Sequence, residues 1–183
     1  MKILGLSGSL REQSHNSRLL AGTRGLLPSG VELDLFERLA DIPPYSEDGE
    51  HELPPAVIEL AAALERADAL LVATPEYNGS IPGHLKNALD WVSRPAAGEP
   101  VKGMPAAVLG VSTGLFGAVW AQAEMRKVLT TMGARVVDRE LPIGQAPDTL
   151  SPDGLPSDEE AAQHIAATLA ELVELAEPVA RAA

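Results

Sequence analysis

Short apolar runs along this chain alternate with stretches in which apolar residues recur every three or four positions. The short runs predict strands, and the three-to-four-residue period predicts amphipathic helices. The predicted strands are residues 2–7, 31–35, 69–73, 106–111 and 135–137, and the predicted helices are residues 16–27, 57–64, 82–91, 125–132 and 165–173. The pattern therefore predicts five strands that alternate with five helices.

This alternation predicts an α/β fold with a doubly wound, five-stranded parallel sheet and helices on both of its faces. Residues 69–73 are apolar throughout, which is typical of a strand covered on both faces. Five strands favour a flavodoxin-like strand order over a six-stranded dinucleotide-binding fold. Since neither an internal repeat nor a second domain is visible, we expect residues 1–183 to form one domain.

Composition narrows the possible chemistry. The chain of 183 residues has no cysteine, which excludes disulfides, thiolate metal sites and a cysteine nucleophile. The four histidines have no ligand spacing, so we expect no metal site. A net charge of −12 argues against binding to nucleic acid. The sequence has no apolar segment of membrane-spanning length and no signal peptide, so we expect a cytoplasmic protein that does not enter membranes.

The first predicted loop, residues 8–16, joins a strand to a helix and is rich in hydroxyl and amide groups. Ser9, Ser14 and Asn16 offer polar side chains, and the start of the helix offers backbone N–H groups that favour an anion. Arg11 adds a positive charge with a geometry suited to phosphate oxygens. These residues predict a phosphate site, and the alternative is that Ser14 merely caps the helix.

The second predicted loop, residues 74–83, contains the turn signal Asn78-Gly79 next to Tyr77. Backbone N–H groups beside an aromatic ring suit a flat heterocycle with polar edges. The alternative is an ordinary strand-to-helix connection in which Tyr77 packs into the core.

The third predicted loop, residues 112–118, combines Ser112 and Thr113 with glycines that allow a ligand to approach the backbone. All three loops follow strands of a parallel sheet, so we expect them to meet at one edge, where such sheets bind ligands. The chain has neither G-x-x-x-x-G-K-[ST] nor G-x-G-x-x-G, which argues against a P-loop hydrolase and a Rossmann dinucleotide site.

Taken together, these loops resemble the NADPH-dependent FMN reductase family, which includes chromate, quinone and azo-dye reductases. The resemblance spans most of residues 2–137 and depends on Gly8-Ser9-Leu10-Arg11 with Ser14 and Asn16, on Pro75-Glu76-Tyr77-Asn78-Gly79-Ser80-Ile81-Pro82-Gly83, and on Leu85-Lys86-Asn87-Ala88-Leu89-Asp90-Trp91.

The resemblance implies an FMN-dependent enzyme on a flavodoxin-like fold. It would pass a hydride from NADPH or NADH to FMN and then to a small acceptor such as a quinone, free flavin, azo dye or chromate, with ping-pong kinetics. Chemistry would occur at the flavin N5, so no catalytic side chain is expected. The FMN-binding residues implied by the resemblance are Ser9, Arg11, Ser14, His15, Asn16, Pro75, Glu76, Tyr77, Asn78, Gly79, Ser112, Thr113 and Gly114.

An alternative function is that of a flavodoxin-type FMN electron carrier that does not itself oxidise NAD(P)H. Carriers tend to shield the flavin between aromatic side chains, and this chain has two Trp, two Tyr and two Phe residues. Direct oxidation of NADPH by the protein would distinguish the two functions.

The third loop, one helix and the remaining histidines allow three further predictions. Many relatives continue the third loop with Gly-Gly and an arginine, where this chain has Gly117-Ala118-Val119-Trp120, and we expect Trp120 to pack internally or to form a subunit contact. The helix around Lys86 resembles one that relatives use in subunit contacts, which implies a homodimer or homotetramer. The other three histidines, His51, His84 and His164, are expected to be solvated.

Overall fold

The computed structural model describes residues 1–177 of the chain and contains one parallel sheet with the strand order β2-β1-β3-β4-β5. This is the flavodoxin-like order, so the predicted fold class is confirmed. The strands are β1 (Lys2–Ser7), β2 (Glu32–Phe36), β3 (Ala69–Ala73), β4 (Pro105–Val111) and β5 (Arg135–Val136), followed by a short β6 (Pro142–Ile143).

Six α-helices follow the strands in the described part of the chain. They are α1 (His15–Gly22), α2 (Pro55–Glu65), α3 (Gly83–Val92), α4 (Val119–Thr131), α5 (Ala146–Thr149) and α6 (Glu159–Ala176). Helices α2, α3 and α4 pack on one face of the sheet, and α1 and α6 pack on the other. The prediction of helices on both faces is therefore confirmed.

The two apolar faces follow from the alternation of side chains along each strand. In β3, Leu70 and Val72 pack with the first group of helices, whereas Leu71 and Ala73 pack with the second. All residues of β3 and β4 are buried, since both strands lie inside the sheet with helices on either side.

The sheet differs from the prediction at its far edge. Strand β5 pairs only with the beginning of β4, at Pro105 and Ala106, while β6 pairs with its end, at Gly110 and Val111. The sheet therefore has a sixth, two-residue strand that the apolar pattern did not predict. Two residues are too few to show an alternating pattern, so β6 depends on contacts with β4.

Within residues 1–177, the structure shows no helix that combines the length and the apolar character needed to cross a membrane.

Candidate functional site

Three loops meet where the sheet ends: the first, taken with the opening residues of α1 (residues 8–16), follows β1, the second (74–82) follows β3, and the third (112–118) follows β4. Their residues enclose a cleft of about 90 Å³. Ten of the thirteen predicted site residues line it, namely Ser9, Arg11, Ser14, His15, Asn16, Pro75, Glu76, Tyr77, Ser112 and Thr113. Asn78, Gly79 and Gly114 lie outside this lining, on the open parts of the second and third loops.

Larger clefts are present, and two of them lie away from the three loops. One of about 390 Å³ lies between β2 and α2, and one of about 510 Å³ lies between α3 and α4. Neither is built from the loops after β1, β3 and β4. Because doubly wound sheets bind ligands at the carboxyl ends of their strands, the smaller three-loop cleft is the candidate site.

The first loop is closed by short-range hydrogen bonds at the start of α1. The Ser14 hydroxyl caps α1 by accepting a hydrogen bond from the Ser17 N–H at 3.1 Å, and Ser14 is almost fully buried. The exposed Arg11 guanidinium donates to the Gln13 carbonyl at 3.2 Å. Ser14 thus has the capping role of the alternative interpretation, and it also lines the cleft.

Asn16 connects the first loop to the strand that precedes the third. Its amide nitrogen donates to the Val111 carbonyl at 2.9 Å, and its amide oxygen accepts from the Val111 N–H at 3.1 Å. Asn16 is buried, and both ends of its amide are engaged by the backbone. This side chain therefore sets the distance between two loops of the cleft.

His15 presents a polar atom that the protein leaves without a partner. In residues 1–177 the buried side-chain nitrogen and oxygen atoms without a hydrogen bond are His15 Nδ1 and Gln122 Oε1. Burial lowers the pKa of His15, and the nearby positive charges of Arg11 and Arg18 lower it further. The imidazole is therefore held neutral in a positively charged environment that suits an anion.

His84 was expected to be solvated, and this prediction is wrong. It is half-buried on α3, and its Nε2 donates a hydrogen bond to the Gly8 carbonyl at 3.0 Å. The carbonyl can only accept, so Nε2 carries the proton. His84 therefore fixes the first loop to α3. His51 and His164 are exposed, as expected.

The second loop makes a tight two-residue turn. Asn78 and Gly79 both have positive φ angles, 55° and 75°, which matches the Asn-Gly signal. The Tyr77 N–H donates to the Ser80 carbonyl at 3.0 Å, and the Ser80 N–H returns a bond to Tyr77 at 3.1 Å. The Tyr77 side chain is 47% exposed, so the alternative that placed it in the core is wrong.

Glu76 connects the second loop to α4. Its Oε2 accepts hydrogen bonds from the backbone N–H groups of Trp120 and Ala121, at 3.0 and 3.1 Å. These groups belong to the first turn of α4, which Ala118 precedes without a side-chain cap. The carboxylate is thus a remote helix cap, favoured by the positive end of the helix.

The third loop is held from below by Gln122. This buried amide donates to the carbonyls of Gly117 and Leu141, each at 2.9 Å, and more weakly to Gly110 at 3.4 Å. It therefore joins the third loop to β4 and to the segment before β6.

Trp120 is not packed internally, which contradicts one of the two roles expected for it. Its side chain is 52% exposed and meets Phe116 edge to face at 5.2 Å between ring centroids. Leu115 and Phe116 are also exposed, so an apolar surface lies beside the cleft.

Sequence reasoning missed three residues that shape the site: His84, Gln122 and Glu124. The Glu124 carboxylate accepts hydrogen bonds from the second loop, at Ser80 and Ile81. Gln122 carried a signal, since it precedes Met125 and Leu129 on one apolar stripe of α4 and a polar residue there must be buried. His84 and Glu124 carried no signal, because their partners are distant in sequence.

The residues of the cleft suit a phosphate. Hydroxyl groups, the exposed Arg11 guanidinium, the positive end of α1 and a neutral imidazole surround a space of about 90 Å³. Within residues 1–177, no group of three His, Asp or Glu side chains is arranged to hold a metal ion. The second and third loops continue from the cleft and are exposed at their tips, and the donor set of the cleft fits the phosphate of FMN.

Comparison with known proteins gives a consistent result. The chain matches the NADPH-dependent FMN reductase family over residues 1–148. It is 42% identical over 167 residues to an NAD(P)H-dependent FMN reductase of Pseudomonas aeruginosa, covering 90% of this chain and 89% of that protein. It is 35% identical over 141 residues to a quinone reductase of Escherichia coli, covering 76% of this chain and 74% of that one.

A solved structure is similar along almost the whole length. FerB, a flavoenzyme NAD(P)H:(acceptor) oxidoreductase from Paracoccus denitrificans, superimposes with a TM-score of 0.84 at 34% identity. The match covers 96% of each chain.

Proposed function

The chain belongs to the NADPH-dependent FMN reductase family, and from this premise we propose how its three loops hold FMN and which acceptor it serves. It is an FMN-dependent NAD(P)H oxidoreductase that reduces a small acceptor. The relatives support this enzymatic function and lend no support to the electron-carrier alternative.

We propose that the thirteen residues predicted from the sequence form the FMN site. The observation that carries this proposal is the convergence of ten of them on one cleft. Arg11 and the N–H groups at the start of α1 would bind the phosphate, because both supply positive charge. Asn16 and Glu76 would act mainly through the backbone segments that their side chains hold.

The second and third loops would support the flavin ring. When bound, FMN supplies the redox chemistry: acceptance of a hydride from the nicotinamide and delivery of electrons to the acceptor. Backbone N–H groups of the second loop, in the exposed turn of Asn78 and Gly79, would bind the polar edge of the ring. Since the turn is exposed, nicotinamide and acceptor would reach the same open face in turn, which predicts ping-pong kinetics.

We propose a quinone as the acceptor. The relatives named quinone reductases support this assignment, and so does the exposed aromatic ring of Tyr77, which lines the cleft. Flat aromatic rings pack well on such side chains.

Further proposals concern the whole protein. We propose that residues 1–183 form a single FMN-binding domain in a homodimer or homotetramer. Exposed Leu115, Phe116 and Trp120 support self-association, since exposed apolar patches commonly mark protein contacts. We also propose a cytoplasmic location, where reduced nicotinamide cofactors are supplied.

The first experiment is a visible absorption spectrum of the purified protein after incubation with FMN and removal of the excess. Retained flavin bands that bleach within seconds on addition of NADPH without air, and that return on addition of benzoquinone, are the expected result. The rates of bleaching and return, measured separately, should account for steady-state turnover.

Two results would contradict the proposal. Protein that retains no flavin would refute the assignment of the cofactor site. Retained flavin that NADPH and NADH both leave oxidised would point instead to an electron carrier. Loss of one positive charge at the site can be separated from loss of one elsewhere by comparing Arg11→Gln with Arg66→Gln. Arg66 is a suitable control because it is exposed, follows α2 and lies at the opposite edge of the sheet.

A further inference from the structure

The turn that would support the flavin ring is bracketed by two carboxylates. Before the turn, Glu76 accepts hydrogen bonds from backbone N–H groups of α4. After the turn, Ser80 and Ile81 donate hydrogen bonds to Glu124, which belongs to α4. One acid therefore belongs to the second loop and binds α4, and the other belongs to α4 and binds the second loop. We call this pair of contacts the carboxylate clasp.

The first half of the clasp satisfies the start of α4. Ala118 precedes the helix with a φ of 59° and provides no side-chain cap. The N–H groups of Trp120 and Ala121 would lack a partner within the helix, as first-turn N–H groups do. Glu76 accepts hydrogen bonds from both N–H groups, so the segment before the turn is fixed to the N-terminal end of α4.

The second half of the clasp fixes the segment after the turn. Glu124 Oε2 accepts from the Ser80 hydroxyl at 2.7 Å and from the Ile81 N–H at 3.2 Å. Glu124 and Ser80 are half-buried and Ile81 is buried, so these contacts are partly shielded from water. Charge-assisted hydrogen bonds in such surroundings are stronger than those on an open surface.

We propose that Glu124 is a positioning residue of the flavin site, which acts by closing the carboxylate clasp around the turn from Tyr77 to Ser80. The proposal rests on the proposed function, because it takes this turn as the support for the flavin ring. With both halves closed, the turn cannot shift along α4 without breaking a charge-assisted hydrogen bond. Without Glu124, only the Glu76 side remains anchored to the helix.

The clasp matters because backbone groups of the turn would contact the ring. The direction of an N–H group depends on the position of its peptide plane, and Asn78 and Gly79 lie in a left-handed conformation at the exposed tip. A turn held at both ends keeps these groups in place before the cofactor arrives. Such preorganisation raises affinity by lowering the entropy lost on binding.

Three variants test this role. Glu124→Ala removes the acceptor, and Glu124→Gln keeps an oxygen that can accept both bonds. Glu174→Ala is the charge-matched control, because Glu174 is exposed on α6, on the opposite face of the sheet. We expect Glu124→Ala to weaken FMN binding about tenfold, Glu124→Gln to stay within about threefold, and the control to match the wild type.

The second measurement does not depend on the cofactor. Amide hydrogen exchange of the flavin-free full chain should become faster at Ile81 and in the turn in Glu124→Ala, while the amides of Trp120 and Ala121 stay protected by Glu76. Glu76→Ala should give the converse pattern at the start of α4. Circular dichroism identifies any variant that fails to fold, and Ser80→Ala, which removes one partner hydroxyl, then replaces it.

The outcomes separate the clasp from the proposed function. Wild-type exchange and wild-type FMN affinity in both Glu124→Ala and Ser80→Ala would overturn the positioning role. If the wild type binds no FMN, the proposed function fails, and unchanged or faster exchange in the flavin-free chain still decides whether the clasp exists. Equal weakening in Glu124→Gln and Glu124→Ala would also overturn the proposal, because the retained oxygen should rescue binding.

Discussion

The first loop and the second loop of the site are stabilised in different ways. The first combines contacts between neighbours, such as Ser14 with Ser17, with two longer-range contacts, made by Asn16 and His84. The second depends on α4, whose Glu124 lies 44 residues from Ser80. The third loop belongs with the second, since Gln122 of α4 also holds it.

Because of this difference, a sequence motif contains more of the residues that stabilise the first loop than of those that stabilise the second. A residue whose contact is with a close neighbour, such as Arg11 with Gln13, has its determinants inside the motif, and a change there alters binding more than folding. A loop held by a distant helix depends on residues outside the motif, so a change there alters folding and binding together.

The largest expected effect is on the third loop. A Cβ at Gly117 would lie 2.3 Å from the Ile143 backbone nitrogen, and the φ of 59° disfavours any side chain. Gly117→Ala should lower the free energy of unfolding by about 3 kcal/mol, because backbone cannot move away as a side-chain tip can. Urea denaturation measures the loss.

Gly79→Ala is the matched control on the second loop. Gly79 also has a positive φ, 75°, but no atom lies within 4 Å of its added Cβ. Only the conformational cost remains, so we expect a loss of about 1 kcal/mol. Equal losses in the two variants would mean that the third loop is not tightly packed against β6.

A smaller loss is expected at Asn16, the residue that joins the first loop to β4. Asn16→Ala leaves both backbone groups of Val111 without their partner, which should cost about 2 kcal/mol in urea denaturation. Asn16→Asp should also destabilise, because its carboxylate faces the Val111 carbonyl and cannot donate. A stable Asn16→Asp would show that the donor half of the bridge is dispensable.

Arg11 should show the opposite behaviour, with an effect on binding and little on folding. Arg11→Gln removes an exposed positive charge, so we expect FMN affinity to fall about tenfold while stability changes by less than about 0.5 kcal/mol. Isothermal titration at two salt concentrations measures this, and salt should weaken wild-type binding more than that of the variant. A large loss of stability would show instead that the hydrogen bond from Arg11 to Gln13 is needed for folding.

The smallest effect concerns pH. The pKa of His15 is lowered from its ordinary value of 6.5, so below that pH the unfolded chain binds a proton that the folded chain does not. Stability should therefore fall slightly as pH decreases through about 6.5. Urea denaturation of the wild type, His15→Asn and the exposed His51→Asn tests this.

The dependence of the free energy of unfolding on pH should have a smaller slope in His15→Asn and an unchanged slope in His51→Asn. An identical slope in all three proteins would show that His15 is not held neutral. Bound FMN should reduce the slope, because the negative charge of its phosphate opposes the effect of Arg11 and Arg18.

Much of the molecule could be predicted from the sequence, for local reasons. Buried strands such as Ala69–Ala73 and stripes such as Met125 and Leu129 follow from the periods of strand and helix, which each segment expresses by itself. The turn at Asn78 and Gly79 also follows from local conformational preference. These signals were sufficient for the fold class and for the three loops.

The remaining features could not be predicted because they depend on chain segments that meet only in the folded protein. Strand β6 forms by pairing with the end of β4, and the exposure of Trp120 depends on how α4 packs against the sheet. His84, Gln122 and Glu124 have partners far along the chain or in a loop, and no local pattern encodes such pairs. The sequence by itself therefore determined which elements form and which loops carry polar groups, whereas tertiary structure decided what holds those loops in place, because a hydrogen bond requires both partners in one position.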